Sequence, residues 1–200
     1  LEDSGGVFST AIIDSTGSIH IIGEGGVGQE DIYGVALETV DDDIDNGVIK
    51  TISADSQIII KGEGGTGTDI VDSNGVYLSD IEVYAGQGIY IKGSGGSGEA
   101  LEDSTGIAVD NTDIKGSKIE LLGTGGSTND PKKSITSIGV SIYNDSTLST
   151  RANEDESFPI LIYDQNDGTN GDIIISGYAG SGLEDSGGVF STAIIDSTGS

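Results

Sequence analysis

The chain has no cysteine, no methionine and no tryptophan, only two prolines and a single histidine. Without cysteine there is no disulfide framework and no thiolate metal site. Cations are scarce too: 8 Lys and Arg stand against 34 Asp and Glu in 200 residues, a formal net charge of −26. A surface so poor in positive charge cannot displace counterions from phosphates, so nucleic acid is excluded as a partner. An anionic membrane surface is disfavoured for the same reason. No apolar run approaches the length of a membrane span, and no membrane insertion is expected. No signal peptide stands at the start. Because the chain begins at Leu1, it reads as a window on a longer polypeptide.

What the chain does have is glycine, 34 residues of it, and strings of isoleucine and valine that give a core something to bury. It also repeats itself. The stretch LEDSGGVFSTAIIDSTGS occupies residues 1–18 and recurs without change at residues 183–200, a period of 182 residues. The expected organisation is one repeat unit over residues 1–182, with residues 183–200 opening the next identical unit.

Within that period lies a shorter repeat. The strings SIHIIGEGGVG, QIIIKGEGGTG, GIYIKGSGGSG, KIELLGTGGST and DIIISGYAGSG align on Gly23, Gly62, Gly93, Gly123 and Gly177. Four residues earlier stand Ile19, Ile58, Ile89, Ile119 and Ile173, and two earlier Ile21, Ile60, Ile91, Leu121 and Ile175. Between them the residues vary. One constant apolar column alternating with a variable one is the period-two pattern of a half-buried strand. A second strand precedes each, marked by Gly6, Gly34, Gly75, Gly106 and Gly139, with Gly188 in a sixth partial copy. Three residues on come Leu37, Leu78, Val109 and Ile142, with Ser9 breaking the column in the first copy. A third apolar patch falls at Ile12 or Ile13, at Ile81 with Val83, at Ile114 and at Leu148.

Successive markers are 28, 41, 31, 33 and 49 residues apart. Unequal spacing defeats a helical repeat, but it suits stacked parallel strands whose extra residues bulge from turns. The fold class is therefore all-β: a parallel β-helix, or β-solenoid, with about five coils per 182-residue period and three short strands per coil. Residues 38–56 and 149–171 are the longer segments and read as protrusions, the second carrying its own apolar string at Ile160–Tyr163. The GxGG corners read as turns whose glycines permit positive φ and close backbone approach.

Strings such as GVYLSDIEVYAGQGIYIKGSGGSG (residues 75–98) resemble the repeats of giant bacterial surface proteins of the filamentous-haemagglutinin type, over nearly the whole chain. The resemblance implies a right-handed parallel β-helix that is secreted and works as a fibre or adhesin, at the cell surface or outside the cell.

Candidate chemistry sits in the acidic loops. DDDIDNG places Asp41, Asp43 and Asp45 at alternate positions, as an EF-hand loop begins, but Asn46 replaces the turn glycine and Ile52 the final glutamate. DQNDGTNGD offers Asp164, Asn166, Asp167 and Asp172 around glycine. Such hard oxygen donors suit Ca²⁺ as the possible cofactor; the alternative is solvated loop charge. GGTGTDIVD (residues 64–72) matches a calcium-binding nonapeptide once, through Asp69, but that motif works by tandem repetition and the other coils lack it, so the segment reads as a corner turn. Polysaccharide-cleaving β-helices carry NTD, DD, GHG and RIK signatures. Here Asn111-Thr112-Asp113 follows Asp41-Asp42 in the reverse order, the His and Arg motifs are missing, and His20 lies in an outward column. No catalytic residue is assigned.

The expected function is a structural extracellular filament whose partners are neighbouring copies of the repeat, joined end to end. Exposed Ile22, Ile59, Leu122 and Ile174 form a candidate strip, either for lateral contact between fibres or for cover by the long insertions. The alternatives are the stalk of a large adhesin, with glycans as possible partners, and a polysaccharide-active enzyme.

Overall fold

A computed structural model describes residues 4–10, 12–28, 30–39, 47–68, 70–98, 103–128, 136–149, 172–180, 186–192 and 194–196. Every regular element among them is a strand. Coil one supplies β1 (Ser4–Ser9), β2 (Ile13–Ser15) and β3 (Ile19–Glu24), and coil two β4 (Ile32–Glu38), β5 (Gly47–Thr51), β6 (Gln57–Glu63) and β7 (Thr66–Gly67). Coil three holds β8 (Ser73–Ser79), β9 (Ile81–Ala85), β10 (Gly88–Ser94) and β11 (Ser97–Gly98). Coil four holds β12 (Asp103–Asp110), β13 (Asp113–Gly116), β14 (Ile119–Thr124) and β15 (Ser127–Thr128). Coil five has β16 (Thr136–Tyr143), β17 (Thr147–Ser149) and β18 (Ile173–Tyr178), and the sixth, partial coil β19 (Ser186–Ser191) and β20 (Ile194–Asp196).

These strands stack into parallel sheets that run the length of the molecule. One sheet, here A, has the order β1-β4-β8-β12-β16-β19; sheet B has β2-β5-β9-β13-β17-β20; sheet C has β3-β6-β10-β14-β18. The molecule is a parallel β-solenoid. Its interior is made of columns, each holding one residue per coil. In sheet C, Ile19, Ile58, Ile89, Ile119 and Ile173 form one, and Ile21, Ile60, Ile91, Leu121 and Ile175 the next. Sheet A contributes Val7, Val35, Val76, Ile107, Val140 and Val189, and sheet B Ile13, Ile49, Val83, Ile114, Leu148 and Ile195. In the middle coils these side chains are almost completely shielded, and each isoleucine so buried contributes about 1.5–3 kcal/mol.

Two expectations change in detail. Residues 38–56 are not simply a protrusion: Glu38 ends β4, and Gly47–Thr51 form β5, whose Ile49 fills the sheet B column between Ile13 and Val83. The alternation Val48-Ile49-Lys50 gives β5 one large apolar core-facing residue, flanked on the same face by the buried Gly47 and Thr51, and that suffices for a rung. The string at Ile160–Tyr163 lies outside the described residues. The GxGG corners are also more than turns, because β7, β11 and β15 pair into a fourth, two-residue-wide sheet in coils two to four. Corner amides continue the ladder, with Gly64 N donating to Ser94 O at 2.7 Å and Gly95 N to Thr124 O at 2.8 Å.

The glycines act through close approach. A Cβ on Gly62 would land on the carbonyl oxygen of Gly75, one on Gly93 on that of Gly106, and one on Gly123 on that of Gly139. The corner glycine of sheet C and the marker glycine of sheet A are thus two halves of a single backbone-to-backbone contact. Neither Gly62, Gly93 nor Gly123 has a left-handed backbone. That conformation belongs instead to Asp80, Asn111 and Asn144, at the bend from sheet A to sheet B.

Candidate functional site

The bend residues form a ladder of their own. Asp80, Asn111 and Asn144 follow β8, β12 and β16, and all three have positive φ, which Asn and Asp tolerate better than other side-chain-bearing residues. Asn111 Nδ2 donates to Asp80 Oδ1 at 2.7 Å, and Asn144 Nδ2 donates to Asp110 Oδ1. Beneath them Thr112 is buried and donates its hydroxyl to Asp110 O at 2.7 Å. Asp113 pairs with the buried Lys115 at 3.4 Å. Asn111 and Thr112 are therefore engaged in holding the bend, and Asp113 is paired along β13.

The outer face of sheet A carries aromatic rings beside carboxylates. One outward column reads Phe8, Ala36, Tyr77, Ala108, Ser141 and Phe190, so bulky and small residues share it. Tyr33 lies in the neighbouring column, and its ring stacks on Tyr77 with centroids 5.4 Å apart. Partial burial pushes the Tyr33 hydroxyl well above the usual phenol range, and the charges of Asp31 and Asp72 push it further. Burial does the same to Tyr143, with Tyr77 and Asp110 adding to it, and raises Tyr77. Glu38, at the end of β4, is raised by burial first and then by Asp80 and Asp31. Asp72 and Asp103 occupy equivalent positions on adjacent rungs at the start of this sheet. Asp31, one coil below, precedes Ile32, the register partner of Ser73. This acidic column was not legible from composition, because it depends on which coil faces which.

Sheet B pairs its charges with near neighbours, across rungs or along a strand. Lys50 meets Asp14 at 3.2 Å, Lys115 lies over the ring of Tyr84 at 5.4 Å, and Tyr84 donates to Glu82 at 2.9 Å. The outer face of sheet C is mixed. His20 is exposed there, next to Ile59, while Lys118 pairs with Glu120 at 3.0 Å. Ile22 (67% exposed) and Ile174 (41%) stand clear of the surface, whereas Ile59 and Leu122 are half-buried. These four do not form one strip. Ile22 and Leu122 share a column interrupted by Lys61 and Lys92, while Ile59 and Ile174 share another interrupted by Tyr90 and Glu120. A single lateral band is thereby broken by charge on intervening rungs.

Of the calcium candidates, Asp41, Asp43, Asp45, Asp164, Asn166 and Asp167 lie outside the described residues, as does Asp69. Asp172 is exposed, and its carbonyl accepts the amide of Ile119 at 2.9 Å. Among the described residues no three His, Asp or Glu side chains converge on a point where a metal could sit. Among the described residues no helix is long and apolar enough to cross a membrane. No family model, no curated protein and no solved structure matches the chain.

Proposed function

We propose that this protein is a structural element of an extracellular filament, a rod lengthened by repeating the same stack of coils. One observation carries the reading: residues 4–9 and residues 186–191 have the same sequence and occupy the first and sixth rungs of sheet A. A stack whose sixth rung repeats its first can continue without change of geometry, each unit covering the strand edge left by the last. The high negative charge keeps such a rod soluble, and the resemblance to filamentous-haemagglutinin-type repeats supports placement at the cell surface or beyond.

The test is to express polypeptides of one, two and three 182-residue periods and measure particle length by electron microscopy. Five rungs at ~4.8 Å each should add roughly 24 Å per period at constant width. Particles that widen into clusters without lengthening would sink the reading. A second reading, the stalk of an adhesin, is supported by the Tyr33, Tyr77 and Tyr143 face. There, amphipathic rings lie beside carboxylates, a surface able to stack on sugar rings and hydrogen-bond their hydroxyls. Glycan binding lost on Tyr77→Ala would favour it, and a glycan screen without binding would dismiss it.

A further inference from the structure

Two ladders of like charge stand on different faces of the rod. On sheet C, Lys61 and Lys92 are exposed and occupy adjacent rungs of one outward column. The rest of that column is Ile22, Leu122 and Ser176, with no acid in it. On sheet A, Asp72 and Asp103 are register partners on adjacent rungs, and Asp103 is exposed. Like charges directly opposite one another on neighbouring strands destabilise a sheet, so each ladder is a liability to a rod standing alone. The other described lysines are committed: Lys50 meets Asp14, Lys115 meets Asp113 and Lys118 meets Glu120. Among the described residues none forms an ion pair with Lys61 or Lys92.

The ladders are opposite in sign and equal in spacing. Both step by one rung, ~4.8 Å, because both belong to the same stack. The net charge of −26 makes two copies repel at most contacts, so a side-by-side contact is confined to surface where cations are available. Every described lysine lies on or beside sheet B or sheet C. The outer face of sheet A instead carries Asp31, Glu38, Asp72, Asp103 and Asp110. Sheet C has acids too: Glu24 and Glu63 share the column beyond the lysines, and Glu120 is held by Lys118. Let the strands of the two faces run antiparallel across the contact. The lysines then meet the aspartates, and Ile59 and Tyr90, two residues earlier in their strands, fall over Asn74 and Thr105. The column of Glu24 and Glu63 projects past the start of sheet A, clear of its carboxylates.

We propose that the lysine column of sheet C docks on the aspartate column of sheet A in a second copy of this chain, Lys61 against Asp72 and Lys92 against Asp103, so that rods lie side by side. The contact joins two different faces, so each copy keeps a face free for a further neighbour, and rods gather into open bundles. The lysines that interrupt the apolar column of Ile22 and Leu122 become the contact themselves. The inference rests on the filament reading, because exposed ion pairs are individually weak and their repetition along two rods supplies the strength.

The test uses the three-period polypeptide, with rod width read by electron microscopy and association by sedimentation. Parent rods should bundle side by side as concentration rises. Lys61→Glu with Lys92→Glu in every period should raise the concentration needed by at least about tenfold. Asp72→Lys with Asp103→Lys should do the same, although it reduces the net negative charge and would promote association if bulk repulsion governed the contact. An equimolar mixture of the two variants restores opposite charges across the contact and should bundle like the parent. Bundling that survives either reversal would overturn the proposal. So would a mixture that stays unbundled while both variants keep the parent's circular dichroism spectrum. If a reversed variant loses that spectrum, Lys61→Gln with Lys92→Gln decides: weaker bundling supports the contact and unchanged bundling overturns it. Parent rods that stay single yet bind a lysine-rich peptide through Asp72 and Asp103 would assign that column to a different partner and overturn it too. Rods that lengthen with period number but never bundle would overturn it and leave the filament reading standing. Rods that fail to lengthen would remove the filament reading, and the side-by-side contact with it.

Discussion

Asn111 sits one rung above Asp80 and donates its side-chain amide to the Asp80 carboxylate at 2.7 Å, and both residues have positive φ, 41° and 54°. Two constraints meet at this bend. The backbone must enter a region that disfavours most side chains, and a carboxylate on the rung below needs a donor. Asn satisfies both. Asn111→Ala should lower stability by about 1–2 kcal/mol, combining left-handed strain with a lost charge-assisted hydrogen bond. Asn111→Gly, which relieves the strain alone, should lose less. Denaturant melts of the two variants check this, and equal losses would show that backbone conformation plays no part.

The pairing of glycine columns makes a sharper prediction. Gly93→Ala would drive a methyl group into the carbonyl of Gly106, while Gly187→Ala meets nothing within 4 Å. The first substitution should cost at least about 3 kcal/mol or prevent folding, and the second should stay within about 0.5 kcal/mol of the parent. Thermal melts followed by circular dichroism distinguish them. Similar behaviour of the two would contradict the close contact between sheets A and C.

Acid and alkaline behaviour follow from the outer face of sheet A. Glu38 is raised above its ordinary 4.5 by burial and by Asp80 and Asp31. Its charged form therefore opposes folding, and the stability tied to its neutral form is present at low pH and fades as pH rises through the raised value. Glu38→Gln should be more stable than the parent at neutral pH, and the difference should vanish below the ordinary glutamate range. Tyr33 and Tyr143 are raised well above the ordinary phenol value of 10.0, burial being the main cause. Their contribution is intact below that value and lost as pH climbs through the folded values. A spectroscopic titration should show these phenols ionising late, together with alkaline unfolding.

The calcium expectation rests on Asp41, Asp43 and Asp45 and on the loop reaching Asp172. A ligand that binds only the folded chain raises its melting temperature, and the stabilisation keeps growing with the logarithm of ligand concentration above Kd. Calcium should raise the melting temperature, excess chelator should lower it, and Asp43→Asn with Asp167→Asn should abolish the response. A melting curve indifferent to both assigns these carboxylates to solvated loop charge.

The sequence by itself determined the columns, the strand type and the period. A strand that must bury one face on every coil writes its isoleucines two apart, as in Ile58 and Ile60 or Ile89 and Ile91, and five near-copies leave no other reading. The tertiary structure alone decided which residues meet between coils of unequal length. It placed Ile49 in the core, because one inward residue per strand is too faint a signal to find from sequence. It paired Ser97 with Ser127 and Thr66 in a strand two residues long, too short for any periodicity. It also set Asp72 against Asp103, partly buried Tyr33 and turned two glycine motifs into one contact. Each of these depends on register across rungs, and register is fixed by the packed interior as a whole, beyond the reach of any local pattern.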